Sequence, residues 1–361
     1  MILVTGGAGF IGSHVVDDLV ANGVEVRILD SLLPAAHAAR PDYLNPCAEF
    51  VQADVRDPDA VRAALTGVDA VCHQAAKVGL GVDMLDVEEY VSHNDLGTAV
   101  LLRELAGARF RGRVVLASSM VVYGEGAYRC ARHGSVGPAP RDPLELAAGR
   151  FEPRCPACDG ELTPVAVEES APLDPRNVYA ATKAHQEHLC SAFSRETGVA
   201  VTALRYHNVY GARMPRDTPY AGVAALFAGA LAAGDAPRVF EDGGQLRDFV
   251  HVRDVARANV VALTRGEPRP GAFNVASGTP RSVGEMAGAL ADAFGEHAPR
   301  PQVTGEFRLG DVRHVFASAA RAERDLGFSA VEGFEQGVAE FARSPLRAAA
   351  PPRTAPRMPR T

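Results

Sequence analysis

Apolar and polar positions switch between two periods along this chain. Short apolar runs at 2–5, 24–29, 49–52, 70–73, 113–118 and 199–205 read as strands. Between them the apolar residues recur at helical spacing. Over 13–21, Val15, Val16, Leu19 and Val20 share a face ahead of Gly23, and longer helices are expected over 87–106 and 177–196. This alternation predicts an α/β architecture with a doubly wound parallel sheet and right-handed crossovers. After Arg205 the rhythm loosens into a smaller mixed α+β lobe: helices over 220–233 and 283–294, with short strands at 249–252 and 272–275. Residues 1–205 form the first domain and 206–343 the second, with a return to the first sheet expected near 249–276. Residues 127–168 have little apolar periodicity and read as an insertion. Residues 344–361, with five Pro, four Arg and no acid, read as a disordered tail.

Composition narrows the class. With 361 residues, 47% hydrophobic and 22% charged, the chain has the makeup of an ordinary globular protein of about two domains. No apolar run approaches the roughly 20 residues that span a bilayer, and the opening Met-Ile-Leu-Val-Thr-Gly-Gly has no secretory signature. No membrane partner and a cytoplasmic location are expected. A net charge of −7 argues against a nucleic-acid partner. Of 37 basic residues only Lys77 and Lys183 are lysines, which draws attention to both, because an ammonium can be tuned where a guanidinium cannot.

Thr5-Gly6-Gly7-Ala8-Gly9-Phe10-Ile11-Gly12 joins the first strand to the first helix. Gly6, Gly9 and Gly12 suit a tight turn, close approach of a pyrophosphate, and helix-on-sheet packing. The second strand leads to Asp30, 24 residues after Gly6, where a carboxylate can accept from both ribose hydroxyls and repels a 2′-phosphate. The pattern is a Rossmann-type NAD site. Tyr179 and Lys183 lie four apart on one helix face. An ammonium beside a phenol favours phenolate, so Tyr179 is expected to serve as a base well below the ordinary pKa of about 10.

With these residues in view, the chain resembles the extended short-chain dehydrogenase/reductase family, specifically its NAD-dependent nucleotide-sugar epimerase and dehydratase group. The likeness extends over roughly 1–343, the insertion excepted. It implies that Asp54 and Val55 flank the adenine, and that Gln74, Ala75 and Ala76 line the cofactor after His73, with Phe10, Ile11, Tyr179 and Lys183 also touching it. Asn94-Asp-Leu-Gly97-Thr98 resembles the family's helix-four signature. Ser118-Ser119-Met120-Val121-Val122-Tyr123-Gly124 places Ser119 as the catalytic serine beside Tyr179 and Lys183. On the substrate side the resemblance implies Ser119, Asn208, Arg247, Arg308 and Asp311, with Arg247 and Arg308 clamping a diphosphate. His207 stands where the family more often carries an aromatic residue. The helices over 87–106 and 177–196 resemble those that pair in a family homodimer.

Met120 and Val121 follow Ser119 and cannot transfer protons. Relatives that eliminate water resemble one another in placing an acid, base or thiol there, so the reading narrows to redox at one carbinol carbon. The expectation is an NAD-dependent epimerase inverting C4 of a dTDP- or UDP-linked sugar through a 4-keto intermediate. A 4-ketoreductase or dehydrogenase with the same triad, and a non-catalytic dinucleotide sensor, stand as alternatives.

In the insertion, Cys130 and His133 are followed after 21 residues by Cys155 and Cys158. Two pairs with short spacers and four ligands suit a closed structural zinc site; free surface thiols and a redox or disulfide pair remain open. Cys47, Cys72 and Cys190 read as small buried apolar residues, and His73, His185 and His188 as packing or solvated side chains. The insertion and its flanking motifs are similar to a bacterial branch of deoxysugar-nucleotide epimerases, the dTDP-L-rhamnose 4-epimerase-like branch.

Overall fold

The computed structural model describes residues 1–34, 36–79, 84–216 and 222–348. Among them, seven strands form one parallel sheet in the order Gly271–Val275, Val201–Tyr206, Arg113–Ser119, Ala70–His73, Ile2–Thr5, Val26–Asp30, Glu49–Gln52. Ile2–Thr5 and Ala70–His73 are buried at every position, because helices cover both faces. Val4 and Ile28 pack beneath Phe10–Ala21 and Val252–Thr264. Leu3, Leu101, Leu116 and Phe193 fill the opposite face. The winding reverses beside Ile2–Thr5, opening a crevice at the carboxyl ends of the strands, the binding edge of such sheets.

Asn208–Tyr210 and Leu246–His251 pair in parallel outside this sheet, and Pro280–Ser282 adds antiparallel to the latter. Helices Val223–Ala232, Val283–Phe294 and Phe334–Arg343 pack around Phe227, Met286, Leu290 and Phe341. Ser282 and Glu285 form a reciprocal capping box that sets the start of one of them. The expected strand at 249–252 thus lies in this lobe, whereas Gly271–Val275 edges the main sheet. The start of the helix expected at 220–233 and residues 349–361 of the expected tail fall outside the described residues.

The helix expected over 87–106 is interrupted. Val87–Tyr90 and Gly97–Gly107 are α-helical, and Val91–Leu96 between them is a π-turn. Within 127–168, strands Gly134–Val136, Ala127–Cys130 and Leu162–Val165 form a small antiparallel sheet over Tyr128, Cys130, Cys155 and Leu162. Cys72 and Cys190 are buried, but Cys47 is exposed: it follows Asn45 in a surface turn, its amide donating to Asn45 Oδ1. Among the described residues no helix is long and apolar enough to cross a membrane.

Candidate active site

The first strand ends at Thr5, and Gly6 takes φ +69°, a left-handed turn that glycine adopts freely. A Cβ there would lie 2.6 Å from the Ala75 amide nitrogen, and one on Gly12 would lie 2.2 Å from the Gly6 carbonyl oxygen. The loop therefore closes against the 74–75 segment only with glycine, and its amides crown the Phe10–Ala21 helix that Gly9 caps. Phe10 packs toward the lobe and Ile11 toward the sheet. Asp30 accepts from the Ala8 amide at 3.0 Å and from the Leu32 amide at 2.9 Å, so the carboxylate is braced at the loop. Backbone donors, a glycine cradle and an acid at the second strand's end suit NAD, and a 2′-phosphate would meet like charge.

The neighbouring positions are more committed than the motifs suggest. Gln74 Nε2 donates to Tyr206 Oη at 2.8 Å and Asn259 Oδ1 at 2.9 Å, inside the core. The Ala75 amide donates to Thr5 Oγ1, and Ala76 is half-buried beside it. Both Asp54 carboxylate oxygens accept from the Arg56 guanidinium, at 3.0 and 2.6 Å, which holds that carboxyl below its ordinary range. Val55 is buried against Gly97. His73 bridges Thr5 and Thr98 through its two ring nitrogens, at 2.7 and 3.0 Å. Burial lowers its pKa to about 3, keeping it neutral. His185 and His188 are exposed on the Val178–Thr197 helix.

Ser119, Tyr179 and Lys183 meet at the carboxyl edge of the sheet. Asn177 caps the Val178–Thr197 helix by accepting from the Ala180 amide at 2.9 Å, which starts that helix just ahead of Tyr179. Ser119 ends its strand, its hydroxyl accepts from the Val121 amide, and it lies close enough to Tyr179 to pull the phenol's pKa down. Lys183 is buried, with Nζ donating to the Ala117 carbonyl at 2.8 Å and lying 5.9 Å from the Tyr179 ring centroid. Burial lowers the Lys183 pKa to about 8. In the chain by itself, before any cofactor charge acts, burial pushes the Tyr179 phenol up to about 12 while Ser119 pulls it down.

Two further residues support the site: Asn94, from the helix-four signature, and Glu187, which sequence reasoning missed. Asn94, in the π-turn, accepts from the Lys77 amide at 2.7 Å and donates to the Lys77 carbonyl and Thr182 Oγ1. It ties the cofactor-side loop to the Tyr179 helix. Glu187, one turn after Lys183, accepts from Ser118 Oγ at 2.5 Å and from Arg205 at 2.9 and 2.7 Å, while Arg205 donates to Tyr123 Oη. The spacing of Glu187 from Lys183 was visible; its burial was not.

On the substrate side, Asn208 Oδ1 is buried with no hydrogen-bond partner among the described residues. Arg247 spends three bonds on the Leu246, Val312 and Arg313 carbonyls. Arg308 is exposed, 5.0 Å above the Phe240 ring. Arg247, Arg308 and Arg141 all act on the Asp311 carboxyl, although burial still raises its pKa.

Cys130, His133, Cys155 and Cys158 converge with all ligand atoms within 4.8 Å of one another. His133 Nδ1 lies 3.5 Å from the sulfurs of both Cys130 and Cys155, and the Cys130 and Cys158 sulfurs are 3.7 Å apart. Tetrahedral Zn–S and Zn–N bonds give edges of about 3.8 Å (S to S) and about 3.6 Å (S to N), so the residues fit that ion. A disulfide needs about 2.05 Å, and the three thiols Cys130, Cys155 and Cys158 are unbridged.

The chain is 35% identical to dTDP-L-rhamnose 4-epimerase of Burkholderia thailandensis over 94% of its own length and 93% of the relative's. It is 31% identical to a putative UDP-glucose 4-epimerase of Methanocaldococcus jannaschii, over 94% and 96%. The crystal structure of Thermus thermophilus UDP-glucose 4-epimerase in complex with NAD superimposes with a TM-score of 0.74 at 30% identity, covering 94% of this chain and 97% of that one. Residues 2–145 and 157–276 match the NAD dependent epimerase/dehydratase family, to which this chain belongs.

Proposed function

We propose that this protein is an NAD-dependent 4-epimerase of a nucleoside-diphosphate sugar. The observation that carries the reading is the grouping of Ser119, Tyr179 and Lys183 at the same carboxyl edge of the parallel sheet from which the glycine loop leaves, with Met120 and Val121 as the next side chains of the strand-end turn. Proton transfer is available at one carbinol, and neither of the two positions after Ser119 offers an acid to drive elimination.

Gly6, Gly9, Gly12, Asp30 and the 74–76 backbone would hold NAD, which supplies the acceptor and donor of hydride at C4. Tyr179 takes the proton of the sugar O4, and Ser119 steadies the same oxygen. Lys183 supplies positive charge behind the phenol and a donor for the cofactor ribose. The 4-keto sugar turns over on its diphosphate tether, and Tyr179 returns the proton. Asn208, Arg247, Arg308 and Asp311 are assigned to the nucleotide sugar, held by the lobe at 206–343. Likeness to a dTDP-L-rhamnose 4-epimerase favours a deoxysugar on dTDP, with UDP as the alternative base.

Zinc in the Cys130, His133, Cys155 and Cys158 set is the second element of this reading, structural because four protein ligands leave no open position. A homodimer is the third, supported by exposed Val91 and Leu96 on the helix that packs beside Val178–Thr197.

The test is a panel of dTDP-, UDP- and GDP-sugars with no added NADH, followed for inversion at C4. Tyr179→Phe should cut turnover at least 100-fold, in the range of general acid–base catalysis, with bound NAD unchanged. Full turnover by that variant would remove the mechanism, and obligatory NADH consumption would replace the epimerase with a reductase.

A further inference from the structure

Residue Arg141 sits in the insertion, outside every motif that marks the active site. Its side chain is only 6% exposed. Nη1 donates to Glu241 Oε1 at 2.7 Å and Nη2 to the Asp311 carbonyl. Nε is buried and donates to nothing among the described residues, the nearest carboxylate being Glu125 Oε1 at 3.8 Å. A buried guanidinium with an unspent N–H is expensive unless something completes it.

The neighbours indicate what that would be. Glu125 closely follows the turn Met120–Tyr123 that begins at Ser119, and Asp311 belongs to the lobe. Arg141 reaches both, so it stands between the sugar end of the site and the Arg308–Asp311 segment, where a diphosphate joining sugar to base must cross. Arg247 and Arg141 both act on Glu125, and Arg247, Arg308 and Arg141 act together on Asp311. Arg247 is fixed by three carbonyls and Arg308 is exposed. A buried third guanidinium supplies charge that Arg308 alone leaves to solvent.

We propose that Arg141 is a substrate-binding residue, completing with Arg247 and Arg308 the pocket for the diphosphate of the nucleotide sugar. This deepens the epimerase reading and rests on it. The insertion then becomes part of the substrate site. Its docking reinforces this: Arg313 of the lobe bonds Glu152 of the insertion at 2.8 and 2.6 Å, and the neighbouring His314 bonds the other Glu152 oxygen at 2.8 Å.

The experiment titrates dTDP and UDP calorimetrically into the full, NAD-loaded chain and into Arg141→Met, alongside kinetics with the sugar nucleotide. Loss of a charge-assisted contact weakens binding about tenfold. The expected result is that fall, an equal rise in KM, kcat within twofold, and unchanged NAD content. Arg141→Lys should recover part of the affinity. If Arg141→Met loses melting temperature by leaving Glu241 Oε1 without its donor, Oε2 keeping Arg313, the Arg141→Met/Glu241→Gln pair removes both charges, and weak diphosphate binding there supports the proposal. Affinity within twofold of wild type in the folded variants overturns it and leaves Arg141 as a tie between insertion and lobe. A wild-type chain that binds neither nucleotide overturns the epimerase reading as well.

Discussion

Lys183 donates from Nζ to the Ala117 carbonyl across 2.8 Å, so the ammonium behind the active-site phenol is anchored to the strand that carries Ser119. The bond fixes its position while burial lowers its pKa to about 8. Between that value and about 10.5, where an unfolded lysine titrates, the unfolded chain holds a proton that the folded chain has released. Stability from this group therefore rises with pH across that window. Below pH 8 the buried charge is a net cost. Lys183→Met should flatten this segment of the melting-temperature profile of the cofactor-free protein and lower turnover at least 100-fold. Thermal melts from pH 7 to 10.5 on both proteins measure it, and an identical slope in the variant would refute the assignment.

Asp30 braces the loop through the Ala8 and Leu32 amides. Asp30→Asn keeps an acceptor at the site and removes the charge that repels a 2′-phosphate. NAD affinity should fall about tenfold, from loss of charge-assisted bonds, and preference over NADP should shrink further. Titration of both dinucleotides into the cofactor-free chain decides this; unaltered preference would place the discrimination elsewhere.

Purified protein should carry one equivalent of zinc. Cys155→Ser removes a thiolate ligand, so metal content should drop below half an equivalent and the insertion should become the first segment cut by protease. Metal analysis with limited proteolysis checks both, and a metal-free wild type with a protected insertion would count against the ion.

Leu96 is half exposed on the helix beside Val178–Thr197. A charge there opposes apolar pairing between copies, so Leu96→Asp should shift the chain from dimer to monomer with the C4 chemistry preserved in kind. Light scattering after size exclusion reads the mass directly. A monomeric wild type would end the dimer proposal.

Much of the fold was legible because its signals are local. Glu49–Gln52 and Ala70–His73 run over the stretches their apolar residues mark, and Gly6 and Gly12 mark a loop that tolerates nothing larger. The π-turn at Val91–Leu96 was not legible, since apolar spacing barely registers one extra residue per turn. Nor was the fate of Tyr179: spacing from Lys183 places two groups on one face but says nothing of how dry that face is. Nothing in the sequence marked Arg141, Glu152 or Arg313, because long-range ion pairs have no period to read. Cys47 errs the other way, a residue type that favours interiors in a turn that stays outside.

The 127–168 excursion departs just beyond Ser119 and rejoins the chain shortly before Tyr179, yet it has its own small sheet and its own apolar centre. Such a segment is a cassette plugged into the rim of the catalytic engine. With Arg141 gripping the diphosphate as proposed, exchanging the segment would alter how tightly guests are held, while the parts that move hydrogen stay untouched.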